Sequence, residues 1–155
     1  MINEKNGKII RLISLIEKDL KDRERLKTEI DELDIYTTNS RILGSILHDF
    51  YTGVEKIFSR IANEMESGIS KSPTWHKDLL DDMTLDLKEI RPAVINGELG
   101  NSLEEYLRFR HIFRGSYGFM LDSSRLEVLF HDFDDVYTSF IASIKTFLLF
   151  LKSLI

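Results

Sequence analysis

Leu43-Gly44-Ser45-Ile46-Leu47-His48-Asp49-Phe50-Tyr51-Thr52-Gly53-Val54-Glu55-Lys56-Ile57-Phe58-Ser59-Arg60-Ile61 is the stretch on which the fold turns. Leu43, Leu47, Phe50, Tyr51, Val54, Ile57, Phe58 and Ile61 recur three or four positions apart, so they line one side of an α-helix. Thr38, Asn39 and Ser40 stand just before it, with side-chain oxygens suited to accept the unpaired N–H groups of a helix start.

The same spacing extends in both directions, and no stretch alternates with period two over a useful length. Upstream, Ile9, Leu12, Ile13, Ile16 and Leu20 form the stripe of a helix over Asn3–Leu33, whose charged tail Lys21–Glu32 turns its outer face to water. Downstream, Gly68 to Pro73 reads as a connection. A third helix is predicted from Trp75 to Ile90, with Leu79, Leu80, Met83 and Leu87 inward. Its end is set by Arg91-Pro92, since the residue before proline leaves the α region. After a loop with Gly97 and Gly100, a fourth helix starts near Ser102, where Ser102 and Glu105 have capping-box spacing. It should fail between Gly115 and Gly118, because two glycines cost roughly 1 kcal/mol each relative to alanine. The last helix begins at Asp122 or Ser123 and runs to the C-terminus on Leu126, Leu129, Phe130, Phe133, Val136, Tyr137, Phe140, Ile144, Phe147, Leu148 and Leu151. The expectation is an all-α, up-and-down bundle of about five helices, with residues 1–155 as a single domain.

Composition agrees with this. The chain has 155 residues, 43% of them hydrophobic, with only 8 Gly and 2 Pro to make turns. It has no Cys, which removes disulfides, thiolate nucleophiles and thiolate metal sites. The start, Met-Ile-Asn-Glu-Lys, lacks the layout of a signal peptide, so a cytoplasmic location is expected. Lys145 and Lys152 interrupt the apolar run Ser139–Ile155 well short of the ~20 residues that span a bilayer, so no membrane partner is expected. A net charge of -5 argues against a generic nucleic-acid scavenger and confines any RNA contact to a local basic patch.

That patch is Arg108-Phe109-Arg110-His111-Ile112-Phe113-Arg114. Arg110 and Arg114 are four apart and His111 and Arg114 three apart, which puts them on a shared face. Clustered guanidiniums beside a helix break suit a phosphate. An ordinary surface network with Glu104 and Glu105 fits the same residues equally well. The other histidines, His48, His76 and His131, form no zincin spacing. His131 with Asp132, Asp134 and Asp135 reads as a solvated helix face, so no metal and no cofactor are expected. P-loop and Gly-x-Ser-x-Gly patterns are absent from the sequence. Looser pairings, Arg41 with His48 and Arg125 with His131, lie inside amphipathic helices and read as coincidences.

The segment Leu103–Asp122 resembles the signature region of HepT-like ribonuclease toxins of the HEPN superfamily. So, in family order, do His48–Phe58, Trp75–Leu80 and Glu89–Pro92. The resemblance implies a homodimeric helical bundle encoded beside a minimal nucleotidyltransferase antitoxin, and a metal-independent RNA endonuclease. The family motif is an Arg, four residues, a His, one residue and a Tyr. On this chain the Arg is Arg110, the Tyr is Tyr117, and the histidine position is Gly115.

The resemblance implies that Arg110 holds the phosphate, helped by Arg108, His111 or Arg114, while Gly115 has no side chain to move a proton. Loss of acid–base help is worth ~10²–10⁴-fold, so an inactive or weak ribonuclease is expected. The alternative is a non-catalytic module that binds RNA, nucleotide or a partner protein. His111 is the substitute proton carrier nearest in sequence, but it lies about 100° around the helix from Arg110. Tyr117 matches the position where the partner enzyme attaches AMP in the family, against a plainer reading in which its ring packs over the helix end.

Overall fold

A computed structural model describes residues 3–115 and 122–155. It contains five helices: α1 (Glu4–Asp31), α2 (Ser40–Met65), α3 (Trp75–Asp82), α4 (Gly97–Gly115) and α5 (Ser123–Lys152). Among the described residues the only β-type pairing is one isolated bridge, Leu87 with Arg91. The chain is therefore an all-α helical bundle, as the periodicity predicts.

Helix α2 is its axis. It packs on each of the other four helices, and its predicted stripe is buried throughout, with Leu47, Tyr51, Val54, Ile57, Phe58 and Ile61 at zero exposure. Phe50 sits at the middle of an aromatic cluster. Its ring meets Tyr106 of α4 edge-on at 5.4 Å, and Phe133 and Phe140 of α5 at 4.9 and 6.4 Å. Edge-to-face geometry is favoured because a ring's positive rim meets the negative face of its neighbour. The Tyr106 hydroxyl donates to the Leu129 carbonyl at 2.6 Å, so its polar end is satisfied inside the core.

The cap read at Asn39 functions, and Asn3 and Asp122, where the sequence reading starts α1 and α5, cap their helices as well. Asn3 accepts from the Asn6 N–H at 2.8 Å, Asn39 from Arg41 at 2.8 Å and Asp122 from Ser124 at 2.9 Å. The α1 stripe is buried as expected, but its charged tail is not wholly in water. Arg23 Nη1 donates to the Asp49 carbonyl at 2.8 Å, and a Cβ on Gly53 would stand 1.9 Å from it. Gly53 thus leaves room for Arg23 to cross α2.

Two boundaries differ from the sequence reading. Helix α3 ends at Asp82, not Ile90. In a continuing helix the Asp82 carbonyl would accept from the Asp86 N–H. Here it accepts from Arg91 Nη2 at 3.1 Å, while Arg91 Nη1 takes the Leu85 and Pro92 carbonyls at 3.0 and 3.1 Å. The same guanidinium holds Glu66 of the α2 terminus through Nε and Nη2, both at 3.1 Å. A buried side chain has replaced the helix ladder, and Glu89 adopts a left-handed φ of 67° to bring Arg91 round. Helix α4 starts at Gly97, not Ser102. Asn96 supplies the acceptor, taking the Leu99 N–H at 2.8 Å, and the Ser102/Glu105 pair lies inside the helix.

Arg91→Ala should lower stability by about 3–5 kcal/mol in urea unfolding, because it strands Glu66 and three carbonyls without their donor. A loss below 1 kcal/mol would show that solvent can replace the guanidinium.

Candidate functional site

The face of α2 that carries Tyr51, Glu55 and Phe58 is apolar except for one carboxylate. Glu55 is 8% exposed. A buried carboxylate is costly unless charged or hydrogen-bonding partners surround it, and here two neighbouring helices supply them. Arg110 of α4 puts Nη2 at 3.0 Å from both Glu55 oxygens. His76 of α3 puts Nδ1 at 2.7 Å from Glu55 Oε2. Thr52 Oγ1 stands 3.5 Å from Arg110 Nη1, and the Tyr51 ring lies under the guanidinium at 5.1 Å. Burial, reinforced by Glu55, pushes the Tyr51 phenol well above its usual range, against the opposing pull of Arg110. The phenol therefore stays protonated.

His76 Nδ1 is also 2.9 Å from Arg110 Nη2. Both contacts cannot be hydrogen bonds of one tautomer. An unprotonated Nδ1 would face the carboxylate lone pair to lone pair, whereas a protonated one donates to it at the shorter distance. The Nδ1–H tautomer is therefore the consistent one, and it leaves Nε2 with a free lone pair. Nε2 makes no hydrogen bond among the described residues. The ring is clamped by Trp75, stacked at 3.6 Å between centroids.

The structure separates residues that the sequence groups together. Arg110 is 4% exposed and turned into the bundle, so it does not share an open face with Arg114, which is exposed and unpaired among the described residues. Helical spacing alone placed them together. Packing against Glu55 draws Arg110 inward, and Arg114 stays in solvent at the helix end.

Arg108 forms the predicted network, with Nη2 3.0 Å from Glu104 and Nη1 3.2 Å from Glu105. His111 is exposed on a different side from Arg110, as its angular offset requires. Gly115 is the last residue of α4. Tyr117 and Gly118 lie outside the described residues.

His111 and Arg108 instead share a groove of about 440 Å³ with His76, Lys77, Glu104 and Arg125. Neither His76 nor Arg125 was picked out as a site residue by sequence. His76 entered only as part of the Trp75–Leu80 segment and as one of the histidines without metal spacing, and Arg125 only as a discounted pairing. Glu55 was likewise hidden in the His48–Phe58 segment. The signal available for it is a carboxylate on an otherwise apolar stripe. His131, Asp132, Asp134 and Asp135 are exposed on α5, and Asp134 pairs with Lys27 at 2.9 Å. Among the described residues no cluster of His, Asp and Glu is arranged to hold a metal ion. Among the described residues no helix is long and apolar enough to cross a membrane.

A family model described as HepT-like protein matches residues 42–151, a span that contains Glu55, His76 and Arg110. No curated protein matches the chain, and neither does any solved structure.

Removing Arg110 leaves Glu55 buried with only His76 as its partner. Arg110→Ala should cost about 3–5 kcal/mol. The Arg110→Ala/Glu55→Ala double variant should cost less than the two single changes summed, with a coupling of about 0.5–3 kcal/mol in a double-mutant cycle. Strict additivity would mean that the two side chains are independent.

Proposed function

Because the chain belongs to the HepT-like protein family, we propose that it is the toxin component of a HEPN/nucleotidyltransferase toxin–antitoxin pair. In this reading residues 1–155 form one domain that works in the cytoplasm as a homodimer. RNA contacts the basic side of α4, and cleavage through the family motif is weak or absent. The observation that carries the reading is the state of the motif itself. Arg110 is present and held in place by Glu55, and the helix ends five residues later on Gly115. Metal-independent RNA cleavage needs a group to accept the 2′-OH proton and positive charge on the developing phosphorane. The motif retains the second and has nothing at position 115 to supply the first.

A non-catalytic RNA- or nucleotide-binding module is the second reading, and one observation favours it. Both Glu55 oxygens lie 3.0 Å from Arg110 Nη2, so the guanidinium charge is already compensated. The exposed cations at Arg108 and Arg114 are left to meet phosphate.

RNA cleavage without added metal, measured for the unmodified chain beside Gly115→His, separates the two. The toxin reading expects Gly115→His to gain ~10²–10⁴-fold, the range of general acid–base help. If neither chain cleaves while both bind RNA, the binding module is the function. Tyr117 is the residue proposed to receive AMP from the antitoxin. Co-expression with that enzyme should add one or more AMP masses to the chain, and Tyr117→Phe should abolish the addition. An unchanged modification pattern in Tyr117→Phe would remove Tyr117 from this role.

A further inference from the structure

We infer that the groove between α3, α4 and α5 is a phosphodiester-cleaving site in its own right, with His76 as its proton acceptor. The inference rests on RNA as the substrate class proposed above, and it assigns the acid–base work to residues outside the family motif.

Three observations converge. First, Glu55 and Trp75 fix the His76 ring, with Nδ1 tied to the buried carboxylate at 2.7 Å and Nε2 making no hydrogen bond among the described residues. A carboxylate behind one ring nitrogen sets the tautomer and makes the other nitrogen a directed base. Second, His76 is about one third exposed, and it lines the groove that His111 also lines. Two imidazoles on one groove provide a proton acceptor and a proton donor. Third, the groove carries Lys77, Arg108 and Arg125 against one lining carboxylate, Glu104. Their existing partners are surface ion pairs, with Arg108 3.0 Å from Glu104 and 3.2 Å from Glu105, Lys77 hydrogen-bonded to Asp81 and 3.7 Å from Glu104, and Arg125 3.8 Å from Glu105. Exposed pairs of this kind cost little to open when a phosphate arrives. Arg125 Nε is buried with no hydrogen-bond partner among the described residues.

The step balances without metal or co-reactant. The ribose 2′-OH gives its proton to His76 Nε2 as the 2′-oxygen bonds to phosphorus. The bond from phosphorus to the 5′-oxygen breaks, and that oxygen takes a proton from His111. The products are a 2′,3′-cyclic phosphate and a 5′-hydroxyl. Lys77, Arg108 and Arg125 supply the positive charge for the phosphorane. Glu55 is a positioning residue that acts through His76. On α4 the groove is lined by Arg108, His111 and Ile112, and position 115 follows them at the helical spacing of the same face.

The test uses the full chain and a short RNA, without metal. A second RNA carrying a 2′-deoxy sugar at the scissile position serves as the control. The expected result is slow cleavage of the all-RNA substrate to a cyclic phosphate, with the deoxy substrate inert. His76→Asn, which keeps a donor for Glu55, should lose ~10²-fold or more. His76→Ala should lose as much and recover in part with added imidazole, which a purely structural role would not allow. Glu55→Gln should lower kcat with little change in KM.

The inference is overturned if His76→Asn cleaves like the unmodified chain. It is also overturned if the unmodified chain does not cleave at all. In either case a gain in Gly115→His leaves the toxin reading standing. If neither the unmodified chain nor Gly115→His binds or cuts RNA, the toxin reading fails and the inference goes with it.

Discussion

Glu55 brings a negative charge into the wall of the bundle, and the arrangement of three helices follows from what that charge requires. A carboxylate with 8% of its surface exposed must collect hydrogen-bond donors or lose its charge. Helix α4 answers with Arg110, which meets both oxygens, and helix α3 with His76, which meets one of them. Helix α3 has only eight residues and two fully buried side chains, Leu79 and Leu80. Its attachment to α2 therefore depends on this polar contact more than that of the long helices does. The contact also selects the His76 tautomer, so a packing constraint on the core determines which nitrogen meets the solvent.

The same constraint divides α4 into two chemically different sides. One side carries Leu103, Tyr106, Phe109 and Arg110 into the bundle, with the arginine neutralised. The other shows Arg108 and His111 to the groove beside Lys77 and Arg125. Basic residues that are adjacent in sequence therefore do different work. Arg110 organises the interior, and the exposed cations remain the ones available to an incoming anion.

Most of the helical plan could be read in advance. The apolar stripes of α1, α2 and α5 are long and regular, Asn39 caps where its chemistry says it should, and Asn3 and Asp122 cap at the starts expected for α1 and α5. The errors fell on α3 and α4, where local signals competed with a partner distant in the chain. The segment Met83–Ile90 has helical patterning, yet Arg91 reaches back to take the carbonyls that would have extended the helix, because Glu66 holds it in place. The Ser102/Glu105 pair has capping-box spacing, yet Asn96 caps one turn and a half earlier. In the site, Arg108, Arg110, His111 and Arg114 were legible as a cluster and Gly115 as the gap in the motif. Glu55 and His76 were not legible as a pair, since 21 residues and a connection separate them.

The sequence by itself determined which residues share a side of each helix, where the long helices start, and that position 115 has no side chain to move a proton. Those properties depend on spacing along one chain and on residue chemistry, which a 3.6-residue period makes explicit. The tertiary structure alone decided which sides of separate helices meet. It buried Arg110 rather than Arg114, gave Glu55 its two partners, and set His76 and His111 on one groove. The reason is that a buried charge is satisfied across helices, and no period along the chain encodes how far away its partner will be.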